Sequence, residues 1–363
     1  MTRTDDAQAL SGATRSFASQ HAAMSVRTIT MKETFDMNRF FAKLSAALGL
    51  GLALSAPVHA ADAFPTKPIT IIVSVSPGGS LDTLARMLAA SMSTELKQSV
   101  VVENVPGAGG LVGFQRLAKS DPNGYTLMFS NNSMVLIPLL YPKANLNVVT
   151  DTSAIGTVAN VPMVLAVSNK SAIPDLPVMM KRMRAGEFKP NLGSGGPGTS
   201  AHLAEAMFLQ MTRTHGELVQ YRGTGPALTD LMAGTIDGVI DQTVTLMNLH
   251  HDKRVKAIAI SSPARIAQMP DVPTFSEAGL PQFDLQIWNG LVAPKGTPRP
   301  VIDTLAAALN QAIESPEYKE RLQQLAAQLP PQAERGPESF RQLLVRDQKR
   351  LAEMAQQIGL QPR

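Results

Sequence analysis

Two glycine-bearing loops carry the residues best placed to hold a ligand. The first, SPGGSLD at 76–82, follows an apolar run and leads into a helical pattern. After Pro77, Gly78 and Gly79 let the backbone approach a ligand without Cβ hindrance, and Ser80 can cap the helix. Asp82 falls in the first helical turn, where a carboxylate suits the helix dipole and can hold the loop's own N–H groups. The same residues also describe a plain strand-to-helix turn with an acidic cap. The second loop, GSGGPGTSAH at 193–202, joins several glycines, including Gly198, to Ser194, Thr199 and Ser200 at a helix start. Such a loop makes an anion nest. It lacks the Gly-Lys-Ser/Thr ending of a phosphate-cradling loop, so phosphate and nucleotide are not the expected ligands. His202, on the first turn, is either a capping or packing histidine or a ligand contact.

Other positions are less specific. Asn131 and Asn132 end a strand and either donate amide hydrogen bonds or cap the next helix. Tyr221 and Arg222 also end a strand, where Arg222 either pairs with a carboxylate or lies in solvent. Asp237 and Asp241 flank a strand on one face, available to a ligand's ammonium or hydroxyl or to a hinge loop. Trp288, the only tryptophan, reads as core. Catalytic readings find little support. Gly-x-Ser-x-Gly fails around Ser194, because Leu192 stands where the first glycine belongs. His250, His251 and Asp252 are adjacent and not spaced for joint metal ligation on one helix face. The best catalytic alternative is a hydrolase pairing Ser194 or Ser200 with His202 or His215. Neither an enzyme nor a cofactor is expected.

These loops need elements behind them. Apolar β-branched runs alternate with helical patterns from residue 68 to about 262: strands at 69–75, 100–102, 125–129, 163–167, 191–192, 218–221, 236–240 and 255–260, and another at 285–292. Leu81, Leu84, Leu88, Met92 and Leu96 recur at helical spacing. The last 65 residues read as wholly helical, with Pro298, Pro316 and Pro337 where helices begin. Repeated strand–loop–helix units predict parallel sheets covered by helices, in two α/β lobes. The expected lobes are 62–161 plus 287–363, and 162–286.

A chain of 363 residues exceeds what one compact core usually holds. Its net charge of +4 and 5% aromatic content give no footprint for nucleic acid. Absence of cysteine removes disulfides, thiolate nucleophiles and Cys-ligated zinc. Residues 37–61 have a short basic region at Arg39 and Lys43, an apolar stretch to Ala56 and a small-residue Val58-His59-Ala60 signal. That pattern predicts a secretory leader within residues 1–60, cut after Ala60, and a periplasmic product. Residues 1–36 are too long and polar for a leader's basic lead, which places the expected translation start at Met37.

FPTKPITIIVSVSPGGSLDTLAR (64–86), VENVPGAGGLVG (102–113), GYTLMFS (124–130), GSGGPGTSAHLAEAMF (193–208), YRGTGPALTDLMAGTID (221–237), AISSPARIAQMPDVPTFSEAGLP (259–281) and WNGLVAPKGTP (288–298) occur in order. This ordered set resembles the extracytoplasmic receptors of tripartite tricarboxylate transporters, the Bug receptors, over nearly the whole mature chain. The resemblance implies a two-lobed type II periplasmic-binding-protein (Venus-flytrap) fold. It also implies a ligand carboxylate held at Pro77, Gly78, Gly79 and Asp82 and at Ser194, Gly198, Thr199 and Ser200, with Asn131, Tyr221 and Asp241 contributing. The chain departs from the family's usual pattern at Ser74-Val75-Ser76, Val105 and Arg222. The implied partners are a small organic acid or related solute and either tripartite membrane transporter subunits or a sensor kinase of a two-component system, with the receptor a monomer.

Overall fold

The computed structural model describes residues 64–362, so the expected leader at 1–60 lies outside the described residues. The apolar run of β1 (Ile69–Val73) is buried almost throughout and lies parallel between β2 (Val100–Asn104) and β3 (Thr126–Asn131). Only a strand covered on both faces tolerates so continuous an apolar sequence. Helices α1 (Ser80–Leu96) and α2 (Leu111–Ala118) connect these strands. Leu81, Leu84, Leu88 and Met92 of α1 are buried, as their spacing predicts.

The chain then enters β4 (Thr152–Ser168), a 17-residue strand that begins well before the expected 163–167. Its first part, Thr152 to Pro162, pairs antiparallel with β9 (Gln286–Pro294), which also pairs with β3. From Met163 onward it pairs with β7 (Gly238–Gln242) and β8 (Val255–Ile260). Pro162, which has no N–H to give a ladder, sits where the partners change. The stretch TSAIGTVANVP has weak strand character by itself; pairing with β9 makes it a strand.

A second set of elements comes next: α3 (Leu176–Arg184), β5 (Asn191–Ser194), α4 (Ser200–Thr212), β6 (Glu217–Gln220), α5 (Thr224–Ala233), β7, α6 (Thr243–His251) and β8. Here β5 lies parallel to both β6 and β7. The strand order is β2-β1-β3-β9-β4-β7-β5-β6, with β8 on β4. After β9 come α7 (Arg299–Glu314), α8 (Pro316–Gln324) and α9 (Pro337–Gln357). The C-terminal region is not wholly helical, because Gln328 leaves the helices to form an antiparallel bridge with Asn160. Helix α7 packs on α1, and α9 packs on β4. Among the described residues, no helix is long and apolar enough to cross a membrane.

Candidate functional site

The carboxyl ends of β1, β3, β5 and β7 lead to one place. Six of the expected residues, Gly79, Ser80, Asn131, Thr199, Ser200 and Asp241, line a single small cavity of about 30 Å³. They come from both sets of elements. A recess of about 530 Å³ shares Ser74, Gly109, Gly195 and Thr199 with it and reaches Tyr221 and Arg222.

The two halves touch directly around this cavity. The Ser76 backbone N–H donates to Arg222 O (3.0 Å), and the Ser76 hydroxyl donates to the same oxygen (2.7 Å). Ser200 Oγ lies 3.0 Å from Asn131 Oδ1 and 2.9 Å from Asn132 Oδ1. Ser80 Oγ donates to Asp241 Oδ2 (3.1 Å). At Gly109, whose φ is +60°, a Cβ would stand 1.9 Å from Pro197 O of the opposite loop. Only glycine permits that approach.

Ser80 therefore does not cap α1, contrary to the sequence expectation. Gly79 occupies the cap position, and no side chain caps the helix. Asp82 holds its own loop, accepting from Gly78 N–H (3.0 Å), Asn104 Nδ2 and Arg86. Burial pulls its carboxyl upward, yet the bonds from Arg86, Asn104 and Gly78 prevail and lower it below the ordinary value. The Gly78 amide is thereby engaged inside the protein.

The second loop behaves alike. Thr199 caps α4 by accepting from His202 N–H, and His202 Nδ1 accepts from Gly198 N–H (3.3 Å). His202 is a buried capping residue, and Gly198 spends its amide on it. Ser194 Oγ donates to Gln220 Oε1 (3.0 Å) at the strand end. Tyr221 donates its hydroxyl to Asp230 (2.6 Å); burial, then Asp230, push its pKa up to about 12. Pro77 and Gly78 line a separate groove along α5 and α6. Asp237 accepts from Asn191 N–H (2.8 Å) at the far end of β7 and does not reach the cavity. Neither candidate serine directs its hydroxyl at a histidine: Ser200 faces asparagines, and Ser194 faces Gln220.

Among the described residues, Asp241 is the only charged one lining the cavity. Burial raises its carboxyl above the ordinary value, opposed by hydrogen bonds from Gln242 N–H, Thr245, Ser80 and Thr224. Ser74, Thr224 and Gln242 also line the cavity, although the sequence did not mark them as ligand contacts. Thr224 sits at a strand-to-helix junction just after Gly223, the same signal that marked the other loops.

Comparison with known proteins identifies the architecture. The sequence model described as "Tripartite tricarboxylate transporter family receptor" matches residues 84–360. The chain belongs to this receptor family. A UPF0065 protein of Pseudomonas sp. (strain P51) is 38% identical over 281 residues, covering 76% of this chain and 84% of the relative. The periplasmic binding protein BugD superposes with a TM-score of 0.79 at 31% identity, covering 83% of this chain and 100% of BugD. MatC from Rhodopseudomonas palustris, solved with bound malate, gives a TM-score of 0.76 at 30% identity, covering 80% of this chain and 99% of MatC. The fold is thus the two-lobed α/β fold of periplasmic binding proteins, and the relatives are receptors and not enzymes.

Proposed function

We propose that this protein is a periplasmic receptor that captures a small carboxylate-bearing solute between two lobes, 62–161 plus 287–363 and 162–286, and delivers it as a monomer to the membrane subunits of a tripartite transporter. The observation carrying this reading is the convergence of Gly79, Ser80, Asn131, Thr199, Ser200 and Asp241 from both lobes on one small cavity. A solute that touches both lobes gains contacts in the closed state that it lacks in the open one, so it binds the closed state better and adds to its stability.

Among the described residues, no Lys or Arg lines the cavity. Recognition of the carboxylate then falls to the Thr199 and Ser200 hydroxyls, the Asn131 amide and the N-terminal ends of α1 and α4, where unpaired N–H groups and the helix dipole favour negative charge. A cavity of about 30 Å³ has room for a water-sized group. The carboxylate end lies at this cavity, and the rest of the solute extends into the recess that shares Ser74 and Thr199. Malate bound to MatC sets the scale of solute to try first.

The test is a thermal-shift screen of small mono- and dicarboxylates on protein beginning at Ala61, with N-terminal sequencing of the exported chain to check the cut after Ala60. At about 100 times its Kd, a true ligand adds about 2.7 kcal/mol to apparent stability, a rise of several degrees in Tm. A panel of small acids that leaves Tm unmoved at millimolar concentrations contradicts the reading.

A further inference from the structure

We propose that Ser80 and Asp241 form a latch that holds the lobes together with or without solute, so that it scales affinity for every ligand by one common factor and does not select among ligands. The proposal rests on the receptor reading above and concerns how that receptor closes.

Asp241 lies next to the end of β7, and its carboxylate is provided for by its own lobe. It accepts from Thr245 Oγ1 (2.9 Å), from Gln242 N–H and from the Thr224 side chain. Ser80, the first residue of α1, supplies the donor from the opposite lobe at 3.1 Å and also lies 3.1 Å from Thr245 Oγ1. The carboxylate is thus pre-aimed, and closure adds one hydrogen bond to a charged acceptor. Such bonds are stronger than neutral ones and gain further where water is excluded. Exclusion is nearly complete, with Ser80 3% and Asp241 5% exposed.

The alternative role for Asp241, catching a ligand's ammonium, fits this arrangement poorly. Its acceptor sites are already taken by four protein donors. Ser80 in turn is free to act as a latch because it has no capping duty on α1. Since both residues also wall the small cavity, closing the latch brings its two sides together. Apparent affinity is the intrinsic affinity multiplied by the fraction of molecules that are closed, whichever solute is bound.

The test exploits the absence of native cysteine. Spin labels at V101C on β2 and K181C on α3, both exposed and in opposite lobes, report the interlobe distance by electron–electron double resonance on unliganded protein. The parent should show a dominant short distance. S80A should move the open-to-closed ratio toward open by roughly ten-fold or more, the consequence of losing one hydrogen bond to a charged acceptor, and S80T should restore it. D241N, which keeps an acceptor without the charge, should fall between. The acids identified in the thermal-shift screen should lose affinity for S80A by the same factor as one another. Distance distributions of S80A and D241N that superimpose on the parent overturn the latch, as does a parent that is already open. A failed solute screen sinks the receptor reading and leaves the distance comparison intact; a binder found while S80A stays closed sinks the latch alone.

Discussion

Among the described residues, no cation forms an ion pair with the Glu205 carboxyl. Glu205 is fully buried on α4, its Oε1 accepts from Ile240 N–H at 3.4 Å, and Oε2 has no partner. Burial raises its pKa well above 4.5; the Ile240 amide works against this, and the nearby Asp241 charge adds to it. The folded chain therefore keeps a proton that the unfolded chain gives up above about pH 4.5. Stability from this group is complete below the unfolded value and drains away as pH rises through the raised one. E205Q imitates the protonated form, so it should flatten that decline and raise the urea midpoint at neutral pH above that of the parent. Midpoints measured from about pH 4 to pH 8 check it; an E205Q profile with the parent's slope refutes the assignment. Nothing in the sequence singled this residue out. In HLAEAMF a glutamate reads as the wet face of a helix, whereas α4 is enclosed on nearly every side. The same limit applied to Gly78, Gly198 and Ser80: residue type disclosed hydrogen-bonding capacity but not which partner would use it.

At the scale of elements, periodicity served well where an element is held by its own pattern. The buried face of α1 and the run of β1 emerged as expected. It served poorly for β4, whose first part is a strand only because β9 returns to pair with it. That return is secured by packing as well as hydrogen bonds. Phe340 of α9 lies edge-on to Trp288 of β9, ring centroids 5.3 Å apart, and fills the space above Gly290, where a Cβ would meet its ring at 2.3 Å. Trp288 also donates its indole N–H to buried Asp347. Phe340 is wholly buried, so F340A should leave a cavity and cost about 3–5 kcal/mol. Chemical denaturation measures this. A loss below about 1 kcal/mol would mean that α9 contributes little to anchoring the crossing strand.

For the whole molecule, the decisive feature is that two loops about 90 residues apart in sequence touch at Gly109 and Pro197. G109A places a methyl 1.9 Å from Pro197 O in a backbone conformation that also disfavours alanine. It should keep the lobes apart, lengthening the interlobe distance and weakening binding of any captured acid by ten-fold or more, while each lobe's core stays intact. Calorimetric titration and the spin-label pair read both effects; parental affinity in G109A would show that the closed contact is dispensable. By itself the sequence determined the α/β class, the resemblance to tripartite-transporter receptors and the loops at the strand ends, because periodic burial and glycine-rich turns are local in origin. Only the tertiary structure decided which loop atoms face the cavity. It also showed that the Gly78 and Gly198 amides are spent internally, and that Ser80 reaches across to Asp241. Those outcomes depend on contacts between residues more than a hundred positions apart, or on competition among neighbouring donors for one acceptor, and neither leaves a periodic trace along the chain.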